Sequence, residues 1–480
     1  MEHGPKESEF RQQRLTNLQK LQELGHQPFG QAFERTGTVA ATLVNFAEQQ
    51  PARIAGRVVS KRQMGKSIFA HLQDGAERLQ IYVKKDAVGE QAFAAFEWID
   101  LGDHVGAEGT LFITKTGEKS LKVEKWTLLS KALLPLPEKW HGLQDVEMRY
   151  RQRYLDLISN PDVRVQFDRR TRIISEIRAF LAARGFMEVE TPMIQAMAGG
   201  AAANPFKTRY EALGADMFLR IAPELYLKRL LVGGYDKVFE LNRNFRNEGL
   251  DRFHNPEFTM IEIYEAYGDC RAMMRLVEEL VTTVAEKVLG TLQVGAGDLA
   301  VDLTQPWRVV TYRELILEKA GADWYDLPLE TARDRARGFG LDIPKEWNRG
   351  AITHEIYEKI IEKTLINPTF VTRLPVELVP LAKACADDPS VVDVFELVIR
   401  GREVAPGYSE LNDPIEQRKR FEEQAQGDAS KIDQDFLDAL EHGMPPAGGM
   451  GIGIDRLIII LTGAESIRDV VLFPQLKPRG

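Results

Sequence analysis

The stretch FRNEGLDRFHNPEFTMIE, from residue 245 to residue 262, carries polar and aromatic residues at regular spacing. Arg246 and Glu248 lie two residues apart, whereas His254, Phe258 and Glu262 follow one another at intervals of four. An arginine offers planar bidentate donors to a phosphate or a carboxylate, and an aromatic ring offers a face on which a base can stack. The set therefore predicts a site for an adenine nucleotide. A solvated sheet face would also explain the polarity, but not this combination of spacings.

Two strands, one on each side of the loop GLDRFHNPE, are expected to position these side chains. Side chains alternate between the two faces of a strand, so every second residue shares a face. Two polar faces joined by a long loop would form a floor with a flap above it. The residues predicted for the polar face are Glu240, Asn242, Asn244, Arg246 and Glu248 before the loop, and Phe258, Met260, Glu262 and Tyr264 after it.

A glycine-rich segment, GGMGIGIDR, ends in Arg456 at the start of an apolar helix. It lacks the Lys-Ser/Thr ending of a P-loop, and its glycines do not fit the GxGxxG pattern before a helix. Glycines that alternate along a strand instead permit a ligand to approach the backbone closely. The segment therefore predicts a strand that delivers Arg456 to a ligand.

A third element, DVFELVIRGREVAPGYSELND, has the pattern of a β-hairpin. A two-residue turn would pair Val398 with Glu403 and make Glu396 the diagonal neighbour of Glu403 on the same face. Two such carboxylates favour a magnesium site over a zinc site, although two solvated glutamates are the alternative. Glu410 has the opposite parity, so it could face the same site only if a bulge, expected at 406–407, reversed the register.

The composition limits the class of protein. A chain of 480 residues is long enough for two to three domains, and its longest apolar runs are too short to span a bilayer. The N-terminus lacks the apolar core of a signal sequence, so a cytosolic protein without membrane association is expected. Two cysteines, Cys270 and Cys385, argue against a disulfide framework and a paired-cysteine zinc site.

The charge is distributed unevenly along the chain. The formal net charge is -9, but residues 51–131 contain 13 Lys/Arg and 10 Asp/Glu, a balance of +3. Five short segments of period two in this range predict a small antiparallel barrel of the OB type, a fold that commonly binds oligonucleotides. Ordinary solvated faces would give the same charge balance, so the contrast is weak by itself.

The pattern along the chain predicts three regions. Residues 1–142 would hold an amphipathic helix, from Glu9 to Gly25, and the five-stranded OB-type barrel, which ends near Gly142. Residues 143–161 would form a linker. Residues 162–480 mix strands and helices irregularly, which predicts an α+β domain built on an antiparallel sheet flanked by helices. A mostly helical insertion is expected at about 271–364.

Several ordered motifs resemble those of class II aminoacyl-tRNA synthetases. RGFMEVETPMI resembles the first signature motif, FRNE with HNPEFTMIE the second, and GIGIDRLIII the third. Over the whole chain the finer resemblance is to bacterial-type lysyl-tRNA synthetases, through RIAPELYLKRLLVGGYDKVFELNRNFRNEG, GYSELND, LEHGMPP and IRDVVLFP. The resemblance implies ATP-dependent charging of lysine tRNA with L-lysine through a lysyl-adenylate, and a homodimer with Pro192 at its interface.

The resemblance also implies roles for individual residues in the catalytic domain. Arg246 and Arg456 would be the catalytic residues, gripping the α-phosphate and the outer phosphates. The further nucleotide-binding residues would be Glu248, His254, Asn255 and Phe258; the Mg²⁺ ligands, Glu396 and Glu403; and the lysine-binding residues, Gly200, Glu224, Glu262, Tyr264, Tyr408 and Glu410. Structural salt bridges are the competing interpretation for Glu224 and Glu262.

In the barrel, Arg62, Phe69, Gln80 and Glu124 match the positions at which the family receives an anticodon. Phe69 could instead be a core residue. One departure from the family pattern is Pro406, which stands where an asparagine is usual before Gly-Phe-Ser-Glu. Proline has no donor, so one hydrogen bond to the lysine carboxylate is expected to be missing.

Two other functions are compatible with parts of this pattern. A lysyl-transferring paralogue would act on a non-tRNA acceptor, but such paralogues resemble the catalytic domain without a barrel. A catalytically inactive RNA-binding regulatory protein would not need the two catalytic arginines or the paired glutamates. Aspartyl and asparaginyl enzymes share the architecture, but they would need a cationic pocket where this chain has Glu262 and Glu410.

Overall fold

A computed structural model describes residues 5–30, 32–137, 143–201, 203–379, 381–425, 428 and 432–478, with the side chains of 5–8 and 298 left aside. The chain divides into two compact units, Met1–Arg164 and Val165–Gly480. The predicted end of the first domain near Gly142 lies outside the described residues. Within the described parts of the chain, no helix is both long and apolar enough to cross a membrane.

The first unit is built around a closed five-stranded barrel, which confirms the predicted barrel, although β3 and β5 pair in parallel and the barrel is therefore not wholly antiparallel as predicted. The strand order is β1-β2-β3-β5-β4, and alternate residues such as Ile54, Ile68 and Ile81 fill the interior. The strands are β1 (Pro51–Met64), β2 (Ser67–Asp74), β3 (Glu77–Lys84), β4 (His104–Ile113) and β5 (Lys119–Ser130). The helices of this part of the chain are α1 (Pro5–Glu23), α2 (Val39–Val44), α3 (Lys85–Val88), α4 (Glu90–Glu97), α5 (Val146–Arg151) and α6 (Arg153–Ser159).

The second unit is built on an eight-stranded sheet of order β14-β15-β16-β17-β18-β11-β10-β6. The six central strands are antiparallel to their neighbours, as predicted, whereas the two edge strands pair in parallel, which makes the sheet mixed. The strands are β6 (Met187–Glu188), β7 (Ile194–Gln195), β8 (Lys207–Tyr210), β9 (Ala215–Leu219), β10 (Lys237–Phe245), β11 (Glu257–Ala266), β12 (Gln293–Val294), β13 (Val301–Asp302), β14 (Arg308–Thr311), β15 (Thr369–Thr372), β16 (Val394–Val398), β17 (Glu403–Ser409) and β18 (Ala447–Gly453).

Two apolar helices cover one face of this sheet, and on the other face polar side chains lie between two smaller apolar clusters. Ile261, Ile263 and Ile452 point into a core shared with two apolar helices, α9 and α15. The remaining helices lie around the sheet or extend beyond it. The helices are α7 (Pro161–Ala183), α8 (Glu224–Val232), α9 (Cys270–Leu289), α10 (Tyr312–Ala320), α11 (Leu329–Gly338), α12 (Arg349–Ile356), α13 (Pro414–Ala425), α14 (Gln434–Glu441), α15 (Ile454–Thr462) and α16 (Ile467–Val470).

The range 271–364, predicted as a mostly helical insertion, contains most of α9 and all of α10 to α12. Met273 and Val277 of α9 are fully buried against the central sheet. Residues 308–311 form β14, the edge strand of the same sheet. Residues 271–289 and 308–311 of this range therefore belong to the sheet and core of the second unit.

Candidate active site

Strands β10 and β11 form the floor of the site. Asn244 pairs with Phe258, and Glu240 pairs with Glu262, so the side chains of these residues share one face. The predicted division of the two strands into a polar and an apolar face is thereby confirmed. Because the other face is buried against helices, the polar side chains are held on a rigid platform.

One cavity of about 230 Å³ opens above this floor. Arg246 and Phe258 line it together, and the arginine carbon Cζ lies 5.2 Å from the centre of the phenyl ring. Burial lowers the pKa of Arg246, and nearby glutamates, first Glu248, partly offset this effect. All the residues predicted to bind the nucleotide line this cavity: Arg246, Glu248, His254, Asn255, Phe258 and Arg456.

The loop between the two strands is organised by Asp251, which sequence reasoning did not select. Its Oδ1 accepts hydrogen bonds from the backbone nitrogens of Phe253 and His254 at 2.6 and 2.8 Å. Its Oδ2 lies 2.7 Å from Nδ1 of His254, and these hydrogen bonds lower the pKa of Asp251 despite some desolvation. The loop therefore presents His254 through local contacts and keeps its side chain half exposed.

Arg456 enters the cavity from the opposite wall, at the start of α15. Its NH1 donates to the backbone oxygen of Glu403 at 2.9 Å, and its NH2 lies 3.3 Å from Nε2 of His254. The neighbouring Asp455 is buried and accepts from the backbone nitrogen of Thr259 at 2.8 Å. Strand β18 and helix α15 are thus fixed to the floor, which confirms that the glycine-rich segment is a strand that delivers Arg456.

The hairpin β16–β17 places two carboxylates beside the cavity. Val398 pairs with Glu403, as predicted. Burial, together with the charge of Glu403, raises the pKa of Glu396 to about 8, and the hydroxyl of Tyr357 donates to Glu396 at 3.1 Å. Two partly buried carboxylates that repel each other suit Mg²⁺, which takes one or two protein carboxylates and completes its shell with water and phosphate. Among the described residues, no group of three or more metal-ligating side chains was found.

The position of the bulge in β17 differs from the prediction. The register shifts at Val404, so Leu397 pairs with Ala405 and Glu396 with Pro406. Both Val404 and Ala405 point into the core, because the extra residue lets two consecutive side chains face inward. The predicted position of the bulge, 406–407, is therefore wrong by two residues. The two apolar side chains that accommodate the extra residue precede Pro406.

Beyond the bulge, Tyr408 and Glu410 join a pocket lined by buried carboxylates. The hydroxyl of Tyr408 donates to Oε2 of Glu224 at 3.1 Å, and that of Tyr264 donates to Oε2 of Glu262 at 3.0 Å. Burial, with Glu224 nearby, raises the pKa of Glu262 well above its usual value. Three carboxylates gathered away from water make this pocket a site for cationic groups.

Two glycines allow the walls of this pocket to come together. A Cβ on Gly449 would clash with Oε1 of Glu410 and lie 2.5 Å from Cε1 of Tyr264. Gly200 adopts φ +82°, and a Cβ there would lie 3.2 Å from Cβ of Glu224. The glycine pattern predicted that a ligand approaches the backbone closely. At Gly449, however, the groups that approach the backbone are the side chains of Glu410 and Tyr264.

Lys228, on helix α8, lies between two of the carboxylates and was missed in the sequence. Its Nζ donates to Oε1 of Glu224 at 2.7 Å and also contacts Oε2 of Glu410. Both salt bridges are almost completely buried. The i,i+4 spacing in ELYLK is a signal that could have paired Glu224 with Lys228 beforehand.

The four barrel residues predicted to bind an anticodon lie on neighbouring strands. Arg62 of β1 pairs with Phe69 of β2, and the Phe69 ring stacks on Tyr82 of β3 at 4.8 Å between ring centres. Phe69 is only partly buried and does not belong to the barrel interior, which excludes the core alternative. Gln80 donates to Glu118 at 2.8 Å, and Thr110 donates to Glu124 at 3.0 Å. Tyr82 and Glu118 are additional residues of this face.

Pro192 lies in an exposed apolar segment of the second unit. Its neighbours Met193 and Ile194 are 47 and 52 % exposed, and Met187 is 51 % exposed. Apolar side chains this accessible are compatible with a surface covered by another chain.

Comparison with protein families identifies two segments. Residues 145–477 match the family described as class II tRNA synthetases (D, K and N). Residues 52–129 match an OB-fold nucleic acid binding domain of the tRNA anticodon type.

Full-length relatives with curated names agree with these matches. The chain is 52 % identical to a lysine–tRNA ligase of Moorella thermoacetica, with 97 % of both chains covered. It is 50 % identical to the lysine–tRNA ligase of Pelotomaculum thermopropionicum, with 98 % of this chain and 96 % of the relative covered. It is 48 % identical to that of Staphylococcus aureus, with 98 and 99 % covered.

Proposed function

The chain belongs to the class II tRNA synthetases and charges lysine tRNA with lysine; we propose that it does so through a lysyl-adenylate formed in the two adjoining pockets of the second unit. The observation that carries this proposal is the placement of Arg246 between two groups of side chains. Arg246 lines the cavity with Phe258, and it interacts electrostatically with the buried Glu262, which lies on the same face of β11 as Phe258. A ligand with a phosphate group for the arginines and two ammonium groups for the buried glutamates matches this arrangement of charges.

Phosphate activation falls to the two arginines. Arg246 holds the α-phosphate and the lysine carboxylate, Arg456 holds the outer phosphates, and Phe258 stacks on adenine. Glu248, His254 and Asn255 hold the remainder of the nucleotide. Because these groups are fixed by the floor, the loop and helix α15, they are positioned before the reaction begins.

The chemistry needs no side-chain nucleophile. The lysine carboxylate is already ionised, so its oxygen attacks the α-phosphorus while the bond to the bridging oxygen breaks and pyrophosphate leaves. In the second step the terminal ribose hydroxyl of the tRNA attacks the activated carbonyl carbon and gives its proton to an oxygen of the phosphate, while AMP leaves with the bonding electron pair. Positioning and neutralisation of charge supply most of the rate enhancement.

Lysine is selected by Glu262 and Glu410 at the ε-ammonium, with Tyr264 and Tyr408 beside them, and by Glu224 at the α-ammonium. A backbone carbonyl from Gly200 completes the contact with the α-ammonium. A neutral side chain would leave buried carboxylates without a partner, which is costly, so discrimination against apolar amino acids is strong.

Glu396 and Glu403 are the proposed ligands of Mg²⁺, which would neutralise phosphate charge when bound. The desolvation of Glu396 and its repulsion by Glu403 support the assignment, because a nearby divalent cation relieves both. The protein is further proposed to act in the cytoplasm as a homodimer, with the exposed apolar segment around Pro192 at the interface.

The outer face of the barrel that carries Phe69 is proposed to bind the anticodon. Arg62, Gln80 and Glu124 would read base edges or contact the backbone beside the aromatic stack. Replacing Phe69 with alanine is expected to raise the KM for tRNA about tenfold, because stacking on an aromatic ring is worth roughly 1–3 kcal/mol per base. ATP–pyrophosphate exchange should keep its wild-type rate in this variant, since exchange needs no tRNA. A wild-type KM for tRNA would remove Phe69 from the anticodon site.

The decisive experiment is ATP–pyrophosphate exchange with each amino acid, followed by charging of lysine tRNA. Exchange with lysine alone and transfer to tRNA support the proposal. Exchange without transfer to tRNA would favour the paralogue that lysylates another acceptor, and no exchange with any amino acid would favour an inactive regulatory protein. Exchange with aspartate alone would exclude the lysine pocket.

A further inference from the structure

Lys228 is a completely buried cation in the wall of the amino-acid pocket, with 0 % of its surface exposed. Its ammonium donates to Oε1 of Glu224 at 2.7 Å and contacts Oε2 of Glu410. Removing an ammonium from water is unfavourable unless negative groups surround it. These two carboxylates raise the pKa of Lys228 in spite of its burial, so the side chain remains charged.

The contacts of Lys228 use only one oxygen of each carboxylate. Oε2 of Glu224 accepts the hydroxyl of Tyr408 at 3.1 Å. Oε1 of Glu410 is buried and has no hydrogen-bond partner among the residues that the structure describes. Lys228 therefore holds both side chains in place and leaves an oxygen of Glu410 available to a ligand.

The number of charges in the pocket matches the proposed substrate. Glu224, Glu262 and Glu410 contribute three negative charges when they bind a cationic ligand, and Lys228 contributes one positive charge. Lysine brings two ammonium groups, while its carboxylate is assigned to Arg246. Without the internal ammonium, one buried carboxylate would have no cation when lysine is bound, which is unfavourable in a dry site.

We propose that Lys228 is a positioning and specificity-determining residue that sets the charge of the amino-acid pocket, so that a ligand with two ammonium groups neutralises it. The inference rests on the proposed assignment of Glu224, Glu262 and Glu410 to lysine. It predicts that the charge of Lys228, and not only its volume, determines how well lysine binds.

The first test is Lys228→Met, which shortens the side chain by only one atom and removes its charge. The KM for lysine in ATP–pyrophosphate exchange should rise at least about tenfold, because a buried pair loses one partner. The KM for ATP should stay within about twofold, and kcat at saturating lysine should fall less than kcat/KM. Lys237→Met is the matched control, since Lys237 forms an exposed 2.8 Å ion pair with Glu265 and should leave all three constants unchanged.

Glu410→Gln, measured in parallel, separates the two ways in which the idea can fail. If Glu410→Gln raises the KM for lysine and a correctly folded Lys228→Met variant does not, the inference about Lys228 is wrong, but the proposed lysine pocket is still supported. If neither variant changes this KM, the proposed lysine pocket itself is wrong. Equal increases in the KM values for lysine and ATP in Lys228→Met would show general distortion and would also overturn the inference.

A second variant tests charge apart from volume. Lys228→Ala removes three methylene groups and the ammonium, which n-propylammonium replaces atom for atom. Added n-propylammonium should lower the KM for lysine in this variant several-fold, and 1-propanol of the same size should not. Equal rescue by 1-propanol would show that Lys228 supplies only volume. Wild-type protein with the same additives corrects for competition with lysine.

Discussion

The nucleotide cavity and the amino-acid pocket occupy the same sheet face, but they present charge in different ways. In the cavity, His254 and Asp251 lie on a loop and have side chains that are 52 and 57 % exposed. In the pocket, Lys228 and Glu410 have fully buried side chains held by rigid elements. A solvated wall can admit a large polyanion and release its product, whereas a dry wall discriminates strongly between small ligands.

The difference has an energetic reason. Exposed ion pairs contribute little because water competes for each partner. Buried carboxylates are unfavourable when the pocket is empty, and their pKa values rise accordingly. Selectivity is therefore expected to reside in the pocket, and reaction rate in the cavity.

The largest effect is expected for Arg246→Ala in the cavity. Loss of the buried guanidinium should lower the rate of adenylate formation by on the order of 10²-fold or more, because a fixed donor to the developing charge is lost. ATP–pyrophosphate exchange measures this rate directly. Arg243→Ala is the control, since Arg243 lies on the same strand and pairs with Glu257 outside the cavity. Near wild-type exchange in Arg246→Ala would contradict the division between the two regions.

A smaller, differently placed effect is expected for Glu262→Gln in the pocket. The KM for lysine should increase roughly 10- to 100-fold, because a charged hydrogen bond in a buried site is worth about 1.5–3 kcal/mol. The KM for ATP should not change. The control Glu265→Gln alters the same strand at a residue that pairs with Lys237. A change in the KM for ATP in place of lysine would mean that Glu262 belongs to the nucleotide cavity.

The KM for lysine should also depend on pH. Burial, reinforced by Glu224 and opposed by Lys228, raises the pKa of Glu410 to about 8. Below this pH the empty pocket holds a proton on Glu410 that a substrate ammonium must displace, so the KM for lysine should fall as pH rises from 6.5 to 8. A total change of about tenfold is expected, since one proton is released per site.

Glu410→Gln should weaken this pH dependence of the KM for lysine, and what remains should come from Glu262, whose pKa is also raised by burial. The same titration predicts that the folded state binds the proton of Glu410 more tightly than the unfolded chain does. Its contribution to the free energy of unfolding is thus present at low pH and is lost as pH rises towards 8. An unchanged pH profile in Glu410→Gln would assign the titration to another group.

The smallest effect is expected where the two regions meet, at Pro406. This residue lines the nucleotide cavity with Arg246 and offers no donor to the lysine carboxylate. Pro406→Asn should lower the KM for lysine a few-fold, because one neutral hydrogen bond contributes about 0.5–1.5 kcal/mol. An unchanged KM would mean that Arg246 or a water already fulfils this role, and that the two regions are less dependent on each other than proposed.

Local patterns predicted the parts of the site that follow strand periodicity. The alternation in β10 and β11 placed Glu240, Arg246 and Glu262 correctly, because one face of these strands is buried and register is strongly specified. The hairpin prediction gave the pairing of Val398 with Glu403 for the same reason.

Features that depend on contacts between distant segments could not be predicted. Lys228 faces Glu410 across 182 positions of sequence, and only their shared burial identifies the pair. Gly449 is required because Tyr264 and Glu410 approach it from two other strands. The position of the bulge depends on which additional side chain the core can accommodate, and that side chain is Val404. The sequence therefore predicted that the strand register must shift, but not at which residue.

The bulge divides β17 into two short segments whose side-chain registers are offset by one residue. A substitution at Glu403 would alter the segment beside the nucleotide cavity. A substitution at Tyr408 or Glu410 would alter the segment that selects the amino acid, and neither change would shift the other segment. Inserting or deleting one residue at Val404 would instead change the orientation of all the β17 side chains that follow. Such a change of length would turn the side chains of Tyr408 and Glu410 towards the apolar core. We therefore expect a point substitution in β17 to alter substrate preference and a one-residue insertion or deletion at Val404 to abolish lysine binding.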